Sequence, residues 1–85
     1  MKHLKYVENY PGSLYNLARE IADMRYDSIA ELFGHLAEKL LEDAENDRKR
    51  GRLQLSSKLE SVARDSLEIQ KKMLSIWELC KKYIK

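Results

Sequence analysis

Three groups of side chains in this sequence have the types and spacing that chemistry needs. Glu31, His35 and Glu38 stand four and three residues apart, a spacing that sets one imidazole and two carboxylates along a single helical face, where they could meet a divalent metal. Arg48-Lys49-Arg50-Gly51-Arg52 carries four positive charges in five residues, enough to neutralise phosphates or to pair bidentately with carboxylates. Cys80 is the single thiol, and His3 and His35 are the two imidazoles that could activate it.

Each group must be weighed against a plainer explanation. A metal needs a constrained set of ligands, and the Glu31, His35 and Glu38 trio falls on the polar side of one helix with no second acidic or imidazole cluster beside it. Cys80 lies in phase with the apolar residues of the last helix, where a thiol behaves as a small hydrophobe. Glu20-x-x-Asp23 and Glu42-x-x-Glu45 superficially resemble the carboxylate pairs that hold magnesium in all-helical nucleotide pyrophosphohydrolases. Those pairs must face the inside of a bundle, whereas all four carboxylates here point away from the apolar faces of their helices. There is no glycine-rich phosphate loop and no Cys/His metal spacing. The expectation is a chain with no catalytic residue, no metal and no cofactor. The basic cluster keeps two explanations. It complements a helix dipole and pairs with acidic neighbours, Glu45 with Lys49 among them, or Arg48, Lys49, Arg50 and Arg52 form a site for nucleic acid or another anionic partner.

The composition narrows the class. Eighty-five residues suit one domain, and 44% hydrophobic with 35% charged residues, one proline and three glycines describe a folded helical chain rather than a disordered one. Sixteen basic and fourteen acidic residues leave a net charge of +2, too small for a global field toward nucleic acid or anionic lipid. The unpaired cysteine and the lack of an apolar leader point to the cytoplasm. No run approaches the roughly 20 apolar residues of a membrane span.

The elements that would position these groups follow from spacing. Residues 1–12 read as an irregular arm ending in the Tyr10-Pro11-Gly12 turn, and Ser13 can cap a first helix over 13–24 with Leu14, Leu17, Ala18, Ile21 and Ala22 on its apolar face. Asp27 or Ser28 as N-cap, with a capping box at Ser28 and Glu31, opens a second helix over 28–49, whose Ile29, Leu32, Phe33, Leu36, Ala37, Leu40, Leu41 and Ala44 recur at helical period. Gly51 can end it. A second capping box at Ser57 and Glu60 predicts a third helix over 57–84, with Leu59, Val62, Ala63, Ile69, Met73, Ile76, Trp77, Cys80, Tyr83 and Ile84 recurring at helical period, and its first turn could start a few residues earlier because Leu55 is in phase with Leu59. Ala30, Gly34 and Ala37 form a small-residue side that Ala18 and Ala22 could match on the first helix.

Short connections make neighbouring helices antiparallel, so the expected fold is all-α, an up-down-up three-helix bundle in which a short first helix covers part of a long hairpin. Trp77 is expected to be mostly buried against the first helix and Phe33. The half of the hairpin that the first helix cannot reach leaves Leu40, Leu41, Ala44, Leu59 and Val62 for another surface, and Leu79 falls off the apolar face at the other end. The basic amphipathic end from Ile76 onward is read as core rather than as a membrane-surface segment, so no membrane is expected. These features predict a non-enzymatic protein-protein interaction module that pairs with itself as a dimer or with another protein. The alternative is a nucleic-acid-binding protein working through the tip at 48–52.

Overall fold

Small residues at seven-residue spacing set the architecture. In the computed structural model, which describes residues 3–83, α1 (Leu14–Ala22), α2 (Tyr26–Lys49) and α3 (Leu53–Cys80) follow one another, and a 3-10 turn over Lys81–Tyr83 ends the described chain. Among the described residues there is no strand. The fold is all-α, and its dominant contact is the antiparallel packing of α2 on α3. On α2, Ala30, Ala37 and Ala44 recur every seven residues with Phe33, Leu40 and Asp47 three residues after each. On α3, Ser56, Ala63, Gln70 and Trp77 form the equivalent row, with Leu59, Ser66, Met73 and Cys80 between them. Two heptad rows facing each other make a coiled-coil seam. Counting back from the turn at Gly51 sets Leu59 opposite Ala44, Ala63 opposite Leu40, and Ser66 opposite Ala37, so a small side chain lies in each of these layers. Ala30, Ala37, Ala44, Ala63, Ser56 and Ser66 are all buried. Gly34 sits at the edge of the seam, where a Cβ would stand 2.4 Å from the Gln70 amide nitrogen.

That seam changes where the large apolar residues go. Leu36 and Ile69, in phase with the apolar faces of α2 and α3, are exposed, and so are Leu41 and Val62, expected at an uncovered surface, and Ile76. The small-residue side of α2 faces α3 rather than α1, and Ala18 and Ala22 of α1 are exposed. Alanine and serine let two backbones approach closely, which leaves no depth between the helices for more than one row of bulky side chains.

The connections also differ from the capping boxes of the sequence. Gly51 takes φ 78°, a conformation that favours glycine, and the Arg52 backbone N–H donates to the Asp47 carbonyl at 2.8 Å. The reversal is so tight that α3 starts at Leu53, four residues before Ser57. Ser57 therefore sits inside the helix with nothing to cap, while Ser56 enters the seam. α2 starts at Tyr26 rather than at Ser28. Its first turn is fixed by Arg25, which donates to Asp27 through Nε at 3.1 Å and Nη2 at 2.7 Å, and by Asp27, which accepts from the Ser28 N–H at 3.0 Å. The Arg25 to Asp27 fork fills the place that a Ser28 cap would have taken. α1 begins after Ser13, whose hydroxyl accepts from the Asn16 N–H at 3.1 Å. The expected continuation of the last helix to Ile84 lies outside the described residues.

Packing around the hairpin is uneven. α1 meets α2, while no Cα of α1 comes within 8 Å of one in α3. Tyr10 bridges the arm to α1 by donating to the Glu20 carboxylate. Trp77 is half-buried at the hairpin base, and what lies over its ring is the Arg25 guanidinium, 4.6 Å from the ring centre. The result is long and flat, 50 × 30 × 14 Å.

Candidate functional site

The tip and the two flanks of the hairpin hold most of the residues that the sequence singles out. At the tip, the turn that brings Arg52 back toward α2 also sets its Nη1 3.2 Å from Oδ1 of Asp47, a carboxylate almost sealed from solvent. Arg48 pairs with Glu45 one helical turn earlier. Two of the four tip cations are therefore held by acidic residues of the same chain. Lys49 and Arg50 are exposed and make no ion pair among the described residues.

Of the apolar residues expected at two uncovered surfaces, the five of the first, Leu40, Leu41, Ala44, Leu59 and Val62, do not share a face, and Leu79 marks the second. Ala44 is buried in the seam and offers no surface. Leu41 is exposed on one flank, in a shallow depression among Glu38, Glu42, Glu45 and Asn46. Leu40 and Leu59 are partly buried on the other flank, where with Leu55, Asp43, Asp47, Arg52 and His3 they line a recess of about 380 Å³. Asp43 forms an ion pair with Lys39, and that contact holds the ammonium above its ordinary pKa. Val62 and Leu79 belong to this second flank but lie 17 positions apart, a little over four and a half turns of α3.

The sequence places Ile76 and Tyr83 beside Leu79 as an apolar strip at the edge of α3, and the structure extends that strip. Leu55, Val62, Ile69, Ile76 and Tyr83 stand at strict seven-residue steps along α3, every one of them exposed. Seven-residue spacing puts them in a single row beside the seam, and Leu79 borders it. The spacing itself was the available signal. It is masked because each member also fits a broad helical face of three- and four-residue steps, which absorbs it into the expected core.

His35 stands between its two carboxylates, Nε2 3.4 Å from Glu31 and Nδ1 3.4 Å from Glu38, all three side chains exposed. Such contacts are ionic only when the imidazole is protonated and are worth little in water. Among the described residues no group of three or more His, Cys, Asp or Glu side chains is placed to hold a metal. One carboxylate of each pair is taken up locally, Glu20 by Tyr10 and Glu45 by Arg48. Cys80 is half-buried near Ala22, Met24, Arg25 and Tyr83, with neither histidine among them. No described helix is long and apolar enough to cross a membrane. Comparison with known proteins gives no matching family model, curated protein or solved structure.

Proposed function

We propose that this chain is a non-enzymatic protein-protein interaction module of the cytoplasm, and that its first partner is a second copy of itself. The observation that carries this reading is surface area. A folded monomer of 10.0 kDa is expected to expose about 5,200 Å², and this chain exposes 6982 Å². The radius of gyration, 15.4 Å, likewise exceeds the roughly 12 Å expected for 85 residues. The exposed surface includes Leu36, Leu41, Leu55, Val62, Ile69 and Ile76 on the hairpin flanks, apolar side chains that water disfavours and a partner would cover. Light scattering after size exclusion, from micromolar to millimolar protein, tests self-association. The expected mass is twice 10.0 kDa at the upper concentrations, and a mass that stays at one chain throughout would overturn it.

A second reading, nucleic-acid binding at the tip, is favoured by Lys49 and Arg50, both exposed and without ion-pair partners among the described residues. Replacing both by Gln should abolish salt-sensitive retention on mixed RNA and DNA at low ionic strength, with helicity intact. Absence of such retention in the unaltered chain removes this reading.

A further inference from the structure

We infer that the exposed row of α3 is a twofold contact in which α3 packs antiparallel on α3 of a second copy, with Ile69 on the symmetry axis. The inference rests on the self-association proposed above and adds the face, the direction and the register. Three observations carry it.

The first is the row itself. Val62, Ile69 and Ile76 are 50%, 40% and 42% exposed and stand seven residues apart, so they form one continuous ridge of β-branched side chains. α1 leaves this ridge open because its backbone does not approach α3. A second helix laid along it would form a second contact line beside the seam that holds the hairpin.

The second is self-complementarity. A twofold axis through Ile69 is the arrangement in which a patch meets its own copy. It sets Val62 against Ile76 of the second copy and Ile76 against Val62. On the outer edge of the same ridge, Asp65 and Lys72 lie four residues before and three residues after the axis. The twofold therefore brings each Asp65 beside the other copy's Lys72, giving two symmetric ion pairs. Within one chain neither residue has an ion-pair partner among the described residues, although Lys71 and Lys81 nearby are both paired. A parallel arrangement would instead set Asp65 against Asp65 and Lys72 against Lys72.

The third is area. A stable interface buries about 800 Å² on each partner. The chain exposes about 1,700 Å² more than a folded monomer of its mass, so a contact of that size fits within the surplus.

Cysteine cross-linking in the full-length chain, with Cys80→Ala as background, distinguishes the outcomes. A disulfide needs Cα atoms within about 7 Å. Under mild oxidation Ile69→Cys is expected to form a covalent dimer with itself. Val62→Cys and Ile76→Cys alone are not, because each would lie 14 residues from its symmetry mate, about 21 Å along the helix. A mixture of those two variants is expected to cross-link as a heterodimer. Asp65→Lys should weaken association about tenfold by setting like charges together, and the reciprocal change Asp65→Lys with Lys72→Asp should restore it to within about threefold. If the chain is a dimer but Ile69→Cys does not cross-link, or if Val62→Cys and Ile76→Cys each link to themselves, this register is overturned while self-association stands. If light scattering shows one chain at every concentration, both fall together.

Discussion

The seam between α2 and α3 and the outer row of α3 follow the same seven-residue repeat, yet they reverse the usual order of burial. Inside the seam lie Ala30, Ala37, Ala44, Ser56, Ala63 and Ser66, while Val62, Ile69 and Ile76 stand in water beside it. Hydrophobic burial stabilises in proportion to the apolar area removed from water, so an isolated hairpin would gain more by turning its largest residues inward. The small-residue seam instead gains close backbone approach and many dispersion contacts, and it leaves the large side chains on the flanks. Two neighbouring residues then differ not in chemistry but in which surface they complete. Ala63 completes a contact within the chain, whereas Val62 is left half exposed at its edge.

The sharpest way to break this comparison is to enlarge both neighbours. Ala63→Leu forces a bulky side chain into a position that is 0% exposed and is expected to cost about 2 to 3 kcal/mol. Val62→Leu, one residue away and half exposed, should change stability by less than about 0.5 kcal/mol. Urea unfolding at low micromolar concentration, below the range where association contributes, measures both. Equal losses at the two positions would mean that the seam is not the closely packed surface. A polar counterpart with a smaller effect lies at the tip. Arg52→Ala leaves the Asp47 carboxylate, 2% exposed, without its cation and should cost about 2 kcal/mol. Asp47→Ala leaves only a solvated guanidinium and should cost about 1 kcal/mol. The order of the two is the check, because a surface pair would lose the same small amount from either side.

The contrast also explains what could be read in advance. Helical spacing, the Pro11 turn and the glycine at position 51 are local signals, and they suffice for three helices and an all-α hairpin. The starts of α2 and α3 were not legible in the same way. Ser28 and Ser57 carry the right residues for caps, but Arg25 reaches Asp27 and Arg52 reaches Asp47 first, and such contacts depend on chain direction rather than on motif. Trp77 was assigned to the core by its phase. α1 does not reach far enough to cover it, and Arg25 does so in part. The candidate interface was half legible: Val62 belongs to the exposed row and Leu79 borders it, Ala44 is lost to the seam, and Leu41 falls on the opposite flank. Telling these apart requires knowing which of two overlapping periods, three-to-four or seven, the neighbouring helix reads. At the tip, Glu45, Asp47, Arg48 and Arg52 are visible as charges, but the Asp47 to Arg52 pair depends on the tight Gly51 turn, and within α2 Glu45 takes Arg48 rather than Lys49.

A weaker effect than those at the seam and tip is expected where the hairpin base meets water. The Arg25 hydrogen bonds hold the Asp27 carboxyl below its ordinary value of 3.8, with the attraction of the guanidinium adding to them. A carboxyl whose folded pKa is depressed stabilises the fold above the unfolded value. That contribution is lost as pH falls through the folded one. Asp27→Asn should therefore be less stable than the unaltered chain at neutral pH, and the difference should shrink to nothing in strong acid, as followed by helicity against urea at a series of pH values. A difference that persists unchanged at the lowest pH would assign Asp27 a role other than its charge, such as its hydrogen bond from the Ser28 N–H.

The smallest effect concerns the seam's own limit. Gly34 is buried beside Gln70, and the atom a new Cβ would meet is the end of that flexible side chain, 2.4 Å away, rather than backbone. If α2 and α3 are held apart by Ala37, Ala44 and Ala63, Gly34→Ala displaces only the Gln70 amide. The helix gains about 1 kcal/mol of intrinsic preference over glycine, offset by repositioning Gln70, so the net change should lie within about 0.5 kcal/mol of zero. Adding Gln70→Ala removes the obstacle, and the double variant should be more stable than Gln70→Ala alone by most of that 1 kcal/mol. Urea unfolding of the four members of this cycle measures the coupling between the two positions. A loss of about 2 kcal/mol from Gly34→Ala in both backgrounds would place the α3 backbone itself against Gly34. The close approach of the hairpin would then depend on the absence of a side chain there as much as on the alanines of the seam.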